Sequence, residues 1–293
     1  MFINAIETAS GFTRALHTIV RKYSSDKIIP GAATLFFVND EGYALTCKHV
    51  ADVLINANNV NQTYKKYKGE LSQSPTSRGL QNELQKKFGY HTKSLIDFKT
   101  KFINCADGIQ NLTIHTHSEH DLAILKFNGF SKLNVNTFPV FKKTSGEIKQ
   151  GKSLCRLGYP FPEFSNFRFN KTKDEIEWTK KGVNKSPQFP IDGMITRFIG
   201  DNKGEIAGIE LSTPGLRGQS GGPLFDQNGI IYGMQSRTKH LHLGFDLENK
   251  PIQVDGEDKM VNNYSFLHLG ECVHVNVIKD FLRLHKVSFQ EAD

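Results

Sequence analysis

A serine hydroxyl is a weak nucleophile at neutral pH. It becomes useful beside a base, most often a histidine, whose ring is oriented by a carboxylate. One serine of this sequence is set apart for such work: Ser220 lies in GLRGQSGGPLF, residues 215–225, among Gly218, Gly221 and Gly222. Glycines accept backbone shapes that other residues resist and let another molecule approach the main chain. His49, in TCKHVAD, stands where an expected strand ends, and Asp121 opens DLAILKF, where a carboxylate emerges from a buried strand. In acyl transfer the developing oxyanion needs backbone N–H donors, and a turn around the nucleophile can aim the amides of Gly218 and Ser220 at one point. The three side chains read as nucleophile Ser220, base His49 and orienting acid Asp121.

Each residue taken alone has a structural explanation: a satisfied histidine at a strand end, an aspartate in a turn or cap, a serine in a tight bend. Their complementary roles and order favour the catalytic reading. GQSGG also fits the nucleophile elbow G-x-S-x-G, but that fold needs a helix straight after the serine and the order serine, acid, histidine. Gly221, Gly222 and Pro223 oppose a helix, and both partners precede Ser220. His115 and His117 alternate onto one strand face near Glu119 and His120, which suits two zinc ligands. With no clear third ligand they are read as strand-surface residues, as are His240 and His242, and neither a metal nor a cofactor is expected.

The elements that must position these residues follow from pattern. The chain of 293 residues has room for one large domain or two modest ones, and its 25 glycines and 22 phenylalanines lean towards many short strands. Ile3, Ile6, Ala9, Phe12, Leu16, Ile19 and Val20 recur at helical spacing and predict an amphipathic helix within 1–27, docked on its own domain rather than on a membrane. Asn4, Glu7, Thr8 and Arg14 interrupt that stretch too often for a signal sequence or a membrane span. Cys47, Cys105, Cys155 and Cys272 are scattered, so four free thiols in a reducing compartment are preferred to two disulfides, and a cytoplasmic location is expected.

From residue 28 short apolar runs alternate with turns. GAATLFFVND and YALTCKHVAD read as a hairpin whose second strand enters a short helical turn. The segment 56–105 loses that rhythm: NNVNQTYKKYKGELSQSPTSRG is loop-like, and LQNELQKKF and SLIDFKTKFI have weak helical spacing. It holds nine basic residues against three acidic ones, so it carries +6 of the chain's net +7. A solvated insertion is preferred to a patch for nucleic acid or another acidic partner. LTIHTH and DLAILKF resume the strands, KQGKSLCRLGYP begins a second β-rich half, and 161–192 reads as another insertion. GMITRFIG, IAGIELS, GPLFD and GIIYGMQS follow as strands, 239–262 as a loop, SFLHLGECVHVNV as strand and VIKDFLRLH as a closing helix. The expected fold is mostly β, a pair of small antiparallel barrels spanning 28–145 and 146–276, with helices at 1–27 and 277–293.

TCKHVAD, EHDLAILKF and GQSGGPLF, in that order, resemble the three signatures of the trypsin-like (chymotrypsin-fold) serine peptidases, most closely the bacterial glutamyl-endopeptidase and HtrA-type branch. GYP at 158–160 and GECVHVNVIKDFL at 270–282 resemble parts of the second barrel and terminal helix of that branch. The resemblance covers about 28–285, apart from the two insertions, and implies two six-stranded antiparallel barrels and peptide or protein substrates. It also implies that Pro214 and Gly215 line the base of a specificity pocket, Ser236, Arg237 and Thr238 one wall, and Gly270 with Cys272 the other. Gln219 stands where trypsin has an aspartate, so activation by N-terminal cleavage is not expected; Pro214 in the base gives no support for a Lys or Arg preference. No PDZ domain is expected. Control by a partner or by the insertions, as in a stress or defence response, is one expectation; a catalytically inert binding module recruited through the basic insertion is the alternative.

Overall fold

The computed structural model describes residues 1–73 and 78–293; residues 74–77 of the expected loop, and the Arg78 side chain, lie outside the described residues. The chain opens with helix α1 (Ile3–Phe12), strands β1 (Thr13–Lys22), β2 (Ile28–Phe37) and β3 (Tyr43–Thr46), helices α2 (Lys48–Gln73) and α3 (Arg78–Lys87), and strand β4 (Leu95–Phe102). Strands β5 (Ala106–Asp107), β6 (Asn111–Thr116), β7 (Ala123–Asn128), β8 (Lys132–Leu133) and β9 (Val140–Lys142) follow. The second half holds β10 (Ser153–Gly158), β11 (Phe167–Asn170), β12 (Glu175–Trp178), β13 (Phe189–Gly200), β14 (Ile206–Leu211) and β15 (Pro223–Phe225). It ends with β16 (Ile230–Val254), β17 (Glu257–His274), helix α4 (Val275–Leu284) and β18 (Gln290–Ala292).

The mostly-β expectation holds, while of the two expected six-stranded barrels the second closes and the first stays an open, curled sheet. In the second half, β15-β10-β13-β14-β17-β16 close into a six-stranded ring through the β15–β16 ladder, and β9 and β18 extend it from β16 in parallel register. The first sheet, ordered β4-β1-β2-β3-β7-β6, curls without closing: among the described residues no ladder joins β4 to β6. Helix α2 substitutes for that ladder. Its Asn61 side chain accepts from the Phe98 amide and donates to the Phe98 carbonyl, both at 2.8 Å, so the backbone polar groups of Phe98 on this edge are satisfied without a strand partner. Between the sheets lies one apolar core that includes Phe12, Phe36, Phe37, Phe127, Phe141 and Phe225.

Four local expectations change. The N-terminal helix stops at Phe12, and Leu16, Ile19 and Val20 lie on β1, which pairs with both β2 and β4. Leu16 and Ile19 are buried on either reading; two available ladders and the β-branched Thr18, Ile19 and Val20 favour the strand. The stretch after His49 is not loop-like but continues as the 26-residue α2, whose apolar side carries Tyr64, Tyr67 and Leu71 onto Tyr23, Phe88 and Tyr90. SLIDFKTKFI is largely strand β4 rather than helix, because pairing with β1 buries Ile96 and Phe98. The expected loop at 239–262 lies on the β16–β17 hairpin, turned at Asp255 and Gly256, which both have positive φ. Within the second insertion, β11 and β12 form a hairpin that buries Phe164 and Ile176 against Ile19. All four cysteines are free and buried. Among the described residues, no helix is long and apolar enough to cross a membrane.

Candidate active site

Ends of three strands meet where the sheets face each other. His49 occupies the first turn of α2, directly after β3, and Cys47 anchors that turn by accepting from the amides of Val50 and Ala51. Asp121 precedes β7 at the end of a turn folded around the His117 ring, whose Nδ1 accepts from the amides of Glu119 and His120. His117, expected as a strand-surface residue, is thereby a turn scaffold: it also lies against Phe281, and His115 against His285. Ser220 sits in the loop between β14 and β15.

His49 Nδ1 lies 2.9 Å from Asp121 Oδ2 and 3.0 Å from Oδ1, and the His49 amide donates to Oδ1 at 3.0 Å. The Ser236 hydroxyl, on β16, donates to Asp121 Oδ2 at 2.5 Å. Burial would raise the Asp121 carboxyl, but bonds from the His49 ring, the Ser236 hydroxyl and the His49 amide outweigh it and hold the group at about 2. An anionic Asp121 fixes the imidazole with Nδ1 as donor, leaving Nε2 as the acceptor. Ser220 Oγ donates to the Ser236 carbonyl at 3.1 Å, and among the described residues no hydrogen bond joins it to His49. Ser236 thus touches both the acid and the serine. Among the described residues, one group of three or more potential metal-ligand side chains converges, Cys47, His49 and Asp121, and it includes the same histidine–aspartate pair.

The first sheet holds the serine loop in place. Thr34 on β2 donates its amide to the Ser220 carbonyl at 3.1 Å and its hydroxyl to the Gly218 carbonyl at 2.8 Å, and that hydroxyl accepts from the Tyr159 amide at 3.1 Å. Gly218 has φ +102°, and a Cβ there would come 2.6 Å from the Tyr159 carbonyl oxygen. At Gly221 a Cβ would lie 2.1 Å from the Thr34 carbonyl oxygen, so the loop can meet the sheet only through glycine. Among the described residues neither the Gly218 nor the Ser220 amide donates to a protein acceptor. Gln219, buried, accepts from the Leu216 amide and donates to the Phe189 carbonyl, both at 3.0 Å, so a neutral side chain ties down the loop.

Beside Ser220 opens a cleft of about 440 Å³ lined by Pro214, Gly215, Ser236, Arg237 and Thr238, and also by Leu216, Arg217, Gln235, His240 and His268. Two expected pocket residues do not line it. Gly270 packs under the cleft, where a Cβ would meet Arg156 Nη1 at 2.1 Å, and Cys272 lines a neighbouring cleft with Asp121. β17 lies beside β16 in the same sheet, Thr238 opposite Gly270 and Gln235 opposite Cys272, and its Gly270–Cys272 stretch is buried. Sequence reasoning missed Thr34, the Ser236–Asp121 bond, His268 and Arg156. Two carried a signal, a hydroxyl inside GAATLFF and a cation inside the apolar run SLCRLG.

No curated protein sequence matches this chain. Among solved structures it is similar to the HtrA-type protease AlgW with decapeptide, at 14% identity over 97% of this chain and 66% of that one, with a TM-score of 0.48. It is also similar to the active form of the Rv3671c protease from M. tuberculosis, at 12% identity over 98% of this chain and 87% of that one, with a TM-score of 0.47. This chain thus spans about two thirds of the AlgW chain's length. At the level of sequence the trypsin-like peptidase domain matches residues 33–234, from β2 into β16 and across His49, Asp121 and Ser220, and the chain belongs to that family.

Proposed function

We propose that this chain hydrolyses peptide bonds in peptide or protein substrates as a serine endopeptidase, through an acyl-enzyme on Ser220. His49 Nε2 takes the Ser220 proton as Oγ attacks the scissile carbonyl, and the amides of Gly218 and Ser220 receive the oxyanion. Collapse breaks the C–N bond, and His49 returns the proton to the departing amine. Water then attacks the ester by the same route, its proton passing to His49 and on to Ser220. Asp121 holds the imidazole and stabilises its charged form. The observation carrying this reading is Ser236, which donates to Asp121 and accepts from Ser220 and so spans the acid and the nucleophile. The Gly218 and Ser220 amides, which donate to no protein acceptor among the described residues, support it further. Turnover on this reading requires Ser220 Oγ to exchange the Ser236 carbonyl for His49 Nε2, a tightening common once substrate is bound.

The test is labelling by a fluorophosphonate, read by intact mass. Wild type takes one label; Ser220→Ala takes none; His49→Ala and Asp121→Asn keep their fold and lose on the order of 10⁴ in peptide turnover. Labelling that persists in Ser220→Ala defeats the assignment.

A further inference from the structure

Three histidines that the proposed mechanism does not use lie on one face of the β16–β17 hairpin. His240 and His242 are two apart on β16, so their side chains point to the same side of the strand. β17 brings His268 directly opposite His240, and Phe266 opposite His242. All three histidines are exposed, and His240 and His268 both line the cleft beside Ser220.

His240 Nδ1 and His268 Nδ1 stand 2.6 Å apart. Two nitrogen lone pairs repel at that distance, so one ring carries a proton between them. A metal ion can take the place of that proton, which then moves to Nε2 of the same ring. Zinc held tetrahedrally at about 2.0–2.1 Å from each nitrogen sets the pair about 3.3 Å apart, so the rings need part by less than about 1 Å. His242 is oriented as a third donor. Its Nε2 lies 2.7 Å from Asp246 Oδ1, and a carboxylate there places the ring proton on Nε2 and leaves the lone pair on Nδ1. Gly244, with φ +81°, turns the chain between the two, where the ladder shifts register, and so returns Asp246 to the ring. Cys47, His49 and Asp121 are the one group of three already gathered among the described residues, so the His242 ring must swing towards the pair to complete this second set.

We infer that His240, His242 and His268 form a binding site for a divalent transition-metal ion, zinc, with Asp246 as the positioning residue. Three neutral imidazoles suit zinc, whereas magnesium and calcium need oxygen donors. Arg217 lines the same cleft, and its charge works against a cation that nitrogen holds only weakly. Three imidazoles leave the fourth position of the tetrahedron open. An ion between His240 and His268 stands at the edge of the cleft. Resting on the peptidase reading above, zinc bound there obstructs the cleft and slows acylation of Ser220.

Equilibrium dialysis of the untagged full chain against micromolar Zn2+, read by elemental mass spectrometry, should return one ion per chain. Co2+ in its place should give the visible spectrum of a tetrahedral nitrogen site. His242→Gln and His268→Gln, both exposed positions with the fold checked by far-UV circular dichroism, should each weaken binding at least about tenfold, and Asp246→Asn on the order of tenfold. His49→Ala should bind zinc as wild type does, which separates this site from the Cys47, His49 and Asp121 group. No zinc on wild type, binding undiminished in His242→Gln or His268→Gln, or binding lost in His49→Ala overturns the inference. Fluorophosphonate labelling reads the consequence: zinc should slow wild type several-fold and leave His242→Gln, which does not line the cleft, unaffected at the same concentration. Unchanged labelling of zinc-loaded wild type, or equal slowing of both proteins, overturns control through this site. Absence of labelling without zinc removes the peptidase reading and leaves the metal site standing.

Discussion

At the scale of single residues, Asp121 is where geometry and ionisation meet. Its folded-state pKa of about 2 lies below the ordinary 3.8, so the native state binds fewer protons than the unfolded one in that interval. The stabilisation is complete above about pH 4 and is lost as pH falls through 2. The stability gap between wild type and Asp121→Asn, from urea unfolding at several pH values, should be about 1–2 kcal/mol at pH 5 and shrink towards zero near pH 2; a constant gap would contradict this. His49 and Asp121 were legible in the sequence because each stands at the end of an apolar run, where a polar side chain needs a reason, and Ser220 because glycines crowd it. Ser236 was legible as a place in the pocket and not as a partner of Asp121, since β16 and the start of β7 are brought together by no local pattern. Arg156 carried a signal, a cation in an apolar strand, but its partners Gln235 and Thr213 are remote in sequence.

At the scale of elements, the helix α2 does two things at once: its first turn places His49 and its later turns cover the open edge of the first sheet. Tyr67 is the centre of the second task, 4% exposed, hydrogen-bonded to the Tyr23 hydroxyl at 2.9 Å and packed on Tyr90 with ring centroids 5.1 Å apart. Tyr67→Ala should cost about 3 kcal/mol in urea unfolding and leave the rate of fluorophosphonate labelling of folded protein unchanged, because Cys47 and Asp121 hold the His49 turn independently. A loss under 1 kcal/mol would mean that α2 is held elsewhere. The basic residues of this region are partly engaged: Lys68 with Asp174, Lys87 with Glu70 and Lys99 with Glu175. Elements were misread where spacing serves two periods. Leu16, Ile19 and Val20 fit a helix face as well as a strand, and only ladders on both sides of β1 decide between them. The long hairpin had a readable sign in Asp255–Gly256, a turn pair that takes positive φ, but exposed residues such as Phe245, Met260 and Tyr264 blurred the alternation beside it.

At the scale of the whole molecule, the two sheets meet at Thr34, and on the proposed mechanism catalysis depends on that junction. Thr34→Val keeps the shape and leaves the Gly218 carbonyl and the Tyr159 amide without their partner; the expected cost is about 2 kcal/mol, with fluorophosphonate labelling slowed at least tenfold and far-UV circular dichroism unchanged. A labelling rate within twofold of wild type would show that the serine loop keeps its shape without the first sheet. By itself the sequence determined the mostly-β class, the three candidate residues and their order, and the need for glycine around Ser220, because these are written in short runs and in the chemistry of side chains. Only the tertiary structure decided that the second sheet closes and the first does not. It alone kept Gly270 and Cys272 out of the cleft's lining, bonded the buried Arg156 guanidinium to Gln235 and Thr213, and set Ser236 between Asp121 and Ser220. Each of these depends on strands far apart in sequence pairing at a particular register, and register is fixed by the packing of the whole core.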